Sequence, residues 1–372
     1  MVNKKIFSIS MVKNEMDIIE SFVRYNANIF DGMIILDNCS SDTTFKILKL
    51  LENEGLPLFI FKDKDIEYNQ AVKMNQLLLK AVNEFEADII VPLDADEFLI
   101  SSNNGNPRKI LEKIEFSTIS LVKWKTYVPN FDKTKNKKFI PAKMTFARED
   151  NGEMYKVIIP RNLVKNYAVE LIKGNHDLRY NQKYDASIKR IFNEDLRIAH
   201  FPIRSKEQAL SKISIGWINA LCDIKRAEGD SWHLQKMFEK LKENGKLKDE
   251  DIIHFAKVYS SHTEVKEIRV NEDHIDLTFC KNITIKYTND KINPIVDLLE
   301  HCEELSLAHL SLKKKALAEE MRSKIQIENL KKEKFAEEQR LKSKIEEYKN
   351  STSWIITSPL RKIGNVIRNL LN

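Results

Sequence analysis

The chain has 372 residues, of which 42% are hydrophobic and 31% charged, enough apolar content for a sizeable core and too much for wholesale disorder. Its longest charge-free run, between Lys349 and Arg361, falls short of the roughly 18 apolar residues of a membrane-spanning helix. The net charge of +6 is uneven: Lys313–Asn350 carries 12 Lys/Arg against 8 Glu, Ser351–Asn372 has three bases and no acid, and the first 312 residues are left at −1, which argues against a global nucleic-acid binder.

Short apolar runs alternate with helical patterns over the first hundred residues. Ile6–Met11 reads as a strand, followed by a helix carrying Ile18, Phe22, Tyr25 and Ile29 on one face. Met33–Leu36 is a second strand, and Ser41-Asp42-Thr43 supplies helix-start chemistry ahead of Phe45, Leu48 and Leu51. Leu58–Phe61, a helix marked by Ala71, Leu78, Val82 and Phe85, and Ile89–Leu93 complete the series. Strands apolar on both faces belong in a parallel sheet covered by helices, so this half is α/β.

Beyond it the pattern is mixed, with strand-like runs at Ile119–Trp124, Lys156–Ile159 and Asn162–Leu171. Ser205 and Gln208 form a capping box for a long helix, helices follow over Trp232–Leu241 and Asp251–Val258, and 264–286 read as two short strands. From Asn293 the chain becomes one long helix, whose apolar positions from Leu310 to Tyr348 recur at intervals of three to seven. A coiled coil with an imperfect heptad is expected, a solvated single helix being the alternative. In the last segment Trp354 opens a stretch without acids, and Leu360, Ile363 and Ile367 share one face against Arg361, Lys362 and Arg368. That pattern describes an interfacial helix, or else one docked on the protein's own core.

The chemistry is narrowed by scarcities. Four dispersed cysteines make neither a C-x-x-C pair nor a disulfide framework and suit a reduced, cytosolic compartment. The N-terminus meets Lys13, Asn14 and Glu15 too early for a secretory leader. No two of the nine glycines are closer than 13 residues, which excludes both the G-x-G-x-x-G and the Walker loops. Against this stands Leu93-Asp94-Ala95-Asp96-Glu97-Phe98, with carboxylates gathered at the end of a buried strand, the edge where open α/β sheets hold ligands. Such carboxylates repel one another unless a cation joins them. Mn²⁺ or Mg²⁺ bridging a diphosphate fits that need, a solvated acidic turn being the alternative.

Three elements in order, Met11-Val12-Lys13-Asn14-Glu15, Ile35-Leu36-Asp37-Asn38-Cys39-Ser40-Ser41-Asp42-Thr43-Thr44 and D-A-D-E-F, resemble glycosyltransferase family 2 and its bacterial relatives with the GT-A fold. The resemblance implies a mainly parallel, mixed sheet flanked by helices, a divalent metal and a nucleoside-diphosphate-sugar donor, with a UDP-sugar as first choice, and transfer with inversion. It implies that Asp37 contacts the nucleobase, with Asn38, Asn14 and Glu15 beside the nucleotide. Asp96, helped by Asp94, would hold the metal. Lys73 and Asn75 are nucleotide-side candidates. His200, in the H-F-P-x-R-S stretch, is the candidate third metal ligand, and His176 is a candidate for the acceptor or metal side. For the general base Asp177 comes first, then Glu153, then Glu97. Cys39 stands where the family has a glycine, and Asn38 is expected to take the left-handed turn. The tail resembles the S-x-S-W-R-x-T-x-P-L-R string of bacterial surface-polysaccharide glycosyltransferases, departing at Ile355.

The expected layout is a GT-A domain over 1–260, a strand and helix connection over 261–300, a coiled coil over 301–350 and a membrane-associating tail over 351–372. Expected partners are the sugar donor, a glycan or lipid-linked glycan acceptor, an anionic membrane surface and a second copy of the chain, with no nucleic acid. The place expected is the cytoplasmic face of a bacterial inner membrane. The rivals are a non-catalytic coiled-coil scaffold and a phosphohydrolase using Asp94 as nucleophile.

Overall fold

The computed structural model describes residues 4–63, 69–131, 138–149, 154–167, 169–180, 188–222, 229, 231–261, 267–281, 283–289 and 291–370. In chain order the elements begin β1 (Ile6–Val12), α1 (Ile19–Asn26), β2 (Gly32–Asp37), α2 (Thr44–Asn53), β3 (Leu58–Lys62), α3 (Gln70–Asn83), β4 (Ile89–Pro92) and β5 (Glu97–Ser101). Then come α4 (Arg108–Leu111), β6 (Thr118–Thr126), α5 (Ile140–Lys143), β7 (Phe146–Arg148), β8 (Tyr155–Pro160), α6 (Arg161–Tyr167), β9 (Val169–Leu171), β10 (Leu178–Tyr180), β11 (Lys189–Phe192) and β12 (Leu196–His200). The remainder is α7 (Lys206–Cys222), α8 (Trp232–Asn244), α9 (Asp249–Val258), β13 (Val270–Glu272), α10 (Pro294–Lys349), α11 (Thr352–Ile356) and α12 (Ser358–Leu370).

The fold is mixed α/β, as expected from the alternation. Nine strands of the described residues form one sheet in the order β3-β2-β1-β4-β8-β6-β12-β5, with β11 also beside β6. The β3, β2, β1 and β4 pairings are parallel, as are β6–β12 and β6–β11, whereas β4–β8, β8–β6 and β12–β5 are antiparallel. Both sheet faces are covered, so every residue of β1, β2 and β4 is buried. Side chains alternate between two cores: Ile6, Met33 and Ile35 pack with α1 and α2, while Phe7, Ile9 and Ile34 pack with α3.

The strand directions determine which edge can hold a ligand. Two antiparallel steps carry the direction of β4 through β8 to β6 and so to β12. The carboxyl ends of β1, β2, β4 and β12 therefore share one edge of the sheet with the amino ends of β5 and β8.

Three local readings change. The run Asn162–Leu171 is not one strand, because α6 takes its first part, burying Leu163 and Val164, and only β9 is extended. In 264–286 the described residues hold one short strand, β13, paired with β7. β5, which was not anticipated, pairs with β12 and places Glu97 opposite His200.

A segment near residue 287 is tied to α1 by one buried carboxylate. Glu20 accepts the backbone N–H groups of Lys286, Tyr287 and Thr288 at 2.6–2.8 Å and the Arg24 Nε at 2.8 Å. Met1–Glu304 makes one compact unit and Leu305–Asn372 another. In the second unit the apolar stripe of α10 is exposed, with Glu320–Lys324 and Glu328–Lys332 pairs one turn apart. The unusual tail string forms a helix corner. Ser351 Oγ accepts from Trp354 N, Thr357 Oγ1 donates to Ser353 O, and the Arg361 guanidinium lies 3.7 Å over the Trp354 ring while donating to Thr357 Oγ1.

Burial opposes the charge of Glu20, but its backbone donors and Arg24 outweigh that and hold the carboxyl below its ordinary value of 4.5. Its stabilisation is thus complete above that value and is lost as pH falls through the lower folded value. Glu20→Gln should lower the urea midpoint at pH 7 by the equivalent of about 2 kcal/mol and flatten the acid limb of stability against pH.

Candidate active site

The ligand edge is built from turns that lock one another. Asn14, itself at φ 54°, donates its backbone N–H to Ser40 Oγ and accepts Ser41 N on Oδ1 at 2.9 Å, joining the turn after β1 to that after β2. Asp42 accepts Met16 N and Thr44 N, so the predicted helix-start residue ties both turns to α2. Cys39, and not Asn38, takes the left-handed conformation, with φ 56°. The position the family fills with glycine still makes the turn, and Asn38 keeps its side chain for Lys73, whose Nζ donates to Asn38 Oδ1 at 2.7 Å and pairs with Asp63 at 2.6 Å. Asp37 is fully buried at the end of β2. Its Oδ2 accepts Ser40 N at 3.3 Å, while its Oδ1 and the Nδ2 of Asn38 have no hydrogen-bond partner among the described residues.

Next to this, β4 and β12 bring together the acids and the imidazole. Asp96 Oδ2 faces His200 Nε2 at 3.8 Å, and Phe201 N donates to Asp96 O, a consequence of the β12–β5 pairing. The expected repulsion among carboxylates is not what governs the site, because the chain supplies its own cations. Lys212 on α7 donates to Asp96 Oδ2 at 3.0 Å, and the Arg204 guanidinium lies 3.9 Å from the same oxygen. Arg204 is gripped by Asp17 on both oxygens, by Glu15 at 2.8 Å and by the Phe201 carbonyl. Lys156 on β8 donates to Asp94 Oδ2 at 2.6 Å and stands 3.3 Å from Glu97 Oε1.

These contacts set the protonation states. Burial disfavours the Asp96 charge, yet Lys212, His200 and Arg204 hold its carboxyl well below the usual range. Burial pushes the His200 imidazole down to about 3, so at neutral pH it is uncharged and can donate a lone pair. Glu15 and Glu97 are both pushed up to about 8, chiefly by burial, with neighbouring acids adding and Arg204 or Lys156 opposing.

Several anticipated residues are committed elsewhere. Asp94 is held by Lys156. Asn75 pairs its amide with both backbone groups of Leu171, at 2.7 and 2.9 Å, and so fastens β9 to α3. His176 bonds the Tyr155 carbonyl through Nδ1 and meets Trp124 edge-on. Asp177 accepts from Arg190 Nε and from Leu178 N. Glu97 is fully buried with Oε2 on Asp94 N. Glu153 lies outside the described residues. Lys156, Arg204 and Lys212 were not anticipated. Arg204 was visible only as the basic letter of H-F-P-x-R-S, and the two lysines had no local signature.

Asp96 and His200 offer a hard oxygen and a neutral nitrogen that converge on one point, and this donor set fits a Mn²⁺ or Mg²⁺ ion completed by diphosphate oxygens and water. Among the described residues no group of three or more His, Cys, Asp or Glu side chains could hold a metal.

No protein-family model matches the chain, and a search of curated proteins gives no significant match. Solved structures overlap it in part. A mannosyltransferase from Pyrobaculum calidifontis in complex with GDP-Man and Mn²⁺ is 12% identical, with 61% of this chain and 67% of that one covered and a TM-score of 0.36. For GalNAc-T7 with UDP, GalNAc and Mn²⁺ the values are 9%, 57%, 48% and 0.34, so the chain spans about half of that protein's length. For glucosyl-3-phosphoglycerate synthase from Mycobacterium tuberculosis with Mn²⁺, UDP and glucosyl-3-phosphoglycerate they are 14%, 53%, 72% and 0.26. At such scores function must be argued from the chain's own residues.

Among the described residues Lys156 is the one ion-pair partner of both Asp94 and Glu97. Lys156→Met should cost about 3 kcal/mol in urea unfolding, and adding Glu97→Gln should recover part of it.

Proposed function

We propose that the chain is a metal-assisted glycosyltransferase of GT-A type that moves a sugar from a nucleoside diphosphate to a hydroxyl acceptor. One observation supports this above others: Asp96 and His200 converge at the carboxyl edge of the sheet, inside a ring of cations formed by Lys212, Arg204 and Lys156. The carboxyl edge of parallel strands, with Lys212, Arg204 and Lys156 set among its acids, suits a metal-bound diphosphate that has no glycine loop to cradle it.

Each residue has a part in that mechanism. The unpaired Asp37 Oδ1 and Asn38 Nδ2 would accept and donate to the edge of the base. Arg204, fixed by Asp17, keeps Asp96 ionised and oriented, and uncharged His200 presents a lone pair beside it. When bound, a divalent ion supplies charge neutralisation for the leaving diphosphate. By the sequence resemblance the donor is a UDP-sugar, transfer inverts configuration and the acceptor is a surface glycan or its lipid-linked precursor.

The second unit extends the proposal. The exposed apolar stripe of α10 supports pairing with a second copy as a coiled coil, and α12, with Leu360, Ile363 and Ile367 exposed and no acid, supports docking on an anionic bilayer. No helix of the described residues is long and apolar enough to cross a membrane. A scaffold is the second possibility, favoured by the internal ion pairs that already neutralise Asp94 and Asp96.

A panel of nucleotide sugars assayed for hydrolysis with and without Mn²⁺ separates the two, since a scaffold shows no metal-dependent turnover. Asp96→Asn should reduce turnover at least ~10³-fold. Contrary to what carboxylate repulsion alone implies, it should also lower the melting temperature, because Lys212 and Arg204 lose their shared partner. Deleting 351–372 should weaken binding to phosphatidylserine vesicles at least ~10-fold, given about 1 kcal/mol per basic residue, and leave turnover on a soluble acceptor unchanged.

A further inference from the structure

Two cations stand beside Asp96 Oδ2, and they are held differently. Arg204 is 3% exposed in its side chain and is bound on every side by Asp17, Glu15 and the Phe201 carbonyl. Lys212 has a quarter of its side chain exposed, reaches across from α7 on a four-carbon stem and bonds Asp96 Oδ2 and the Pro202 carbonyl, with its Nζ 4.7 Å over the Tyr259 ring. The oxygen it occupies is the one that faces His200 Nε2. A divalent ion and an ammonium group cannot comfortably share that oxygen, since their charges repel in a site shielded from water.

Resting on the transferase proposal above, we propose that Lys212 is a placeholder cation: its ammonium neutralises Asp96 in the resting protein, yields that oxygen to the metal, and turns to the diphosphate that arrives with it. Arg204 cannot perform this exchange, because releasing it would strand Asp17 and Glu15. The Pro202 carbonyl and the Tyr259 ring remain to Lys212 as a pivot, so it can leave Asp96 without entering bulk water. The exchange makes the two ligands mutually dependent. Metal alone must displace an ammonium that then has no anion, whereas metal with diphosphate provides one. Lys212 is therefore a positioning residue that couples the two binding events and discourages a bare metal from filling the site.

The test is a binding cycle on the full chain. Protein-bound Mn²⁺ is measured by electron paramagnetic resonance with no nucleotide, and UDP and GDP affinities are measured with and without Mn²⁺. Coupling of this kind is typically worth about 5- to 150-fold, and it is reciprocal. In the wild type, Mn²⁺ alone should bind weakly and the nucleotide should tighten it. Lys212→Met keeps the stem against Tyr259 and removes the charge, so it should bind Mn²⁺ alone about tenfold more tightly while losing about tenfold in nucleotide affinity in the presence of Mn²⁺. Lys212→Arg should keep the wild-type pattern, and Lys212→Gln provides a second neutral variant should the methionine substitution fold poorly. A wild type that binds Mn²⁺ and nucleotide, with neutral variants whose affinity for Mn²⁺ alone is unchanged or weaker, overturns the placeholder role and leaves the transferase proposal standing. A wild type that binds neither overturns both.

Discussion

Burying several carboxylates where strands of a sheet end is only possible if their charge is answered close by, and that requirement shapes this protein. Glu15, Asp17, Asp94, Asp96 and Glu97 gather at the ligand edge, and the described residues answer them with Lys156, Arg204 and Lys212. The fixed positive charges fall two short of full ionisation, and Glu15 and Glu97 are the groups whose carboxyls are pushed up to about 8. The strand order follows the same need: antiparallel β8 brings Lys156 to the edge, and β12, parallel to β4, brings His200 and the turn holding Arg204.

The first hundred residues were legible because their apolar periods are short and regular. β1 to β4 and the helices between them lie where the pattern places them, and α7, α8 and α9 follow their capping and spacing signals. The strand-end place of Asp96 and the turn that follows His200 could be read. The cations could not. Lys156 and Lys212 become site residues only through β4–β8 pairing and through α7 folding back, contacts separated by 62 and 116 positions in the chain. Asn75 shows the same limit: an amide near the motif gives no sign that its partner is the backbone of Leu171. The helix α6 was hidden by a run in which helix and strand periods are equally plausible.

The tail illustrates a motif whose chemistry is structural. Its Ser, Trp, Thr and Arg letters make a corner between α11 and α12: a cap, a side chain bonded back to the preceding turn and a guanidinium folded over the indole. Nothing in that corner needs the residue at Ile355, the one position where the string departs from the pattern it resembles.

Trp124 has a consequence of its own. Its indole stacks on the His200 ring with centroids 4.0 Å apart, lies 5.7 Å from the Lys156 ammonium and leaves its Nε1 without a hydrogen-bond partner among the described residues. A fluorophore so placed senses the local field directly, so with the other three tryptophans replaced its emission colour should respond to the charge at Asp96. The molecule carries an optical gauge of its own electrostatics, mounted beside the groups whose charge decides what it can hold.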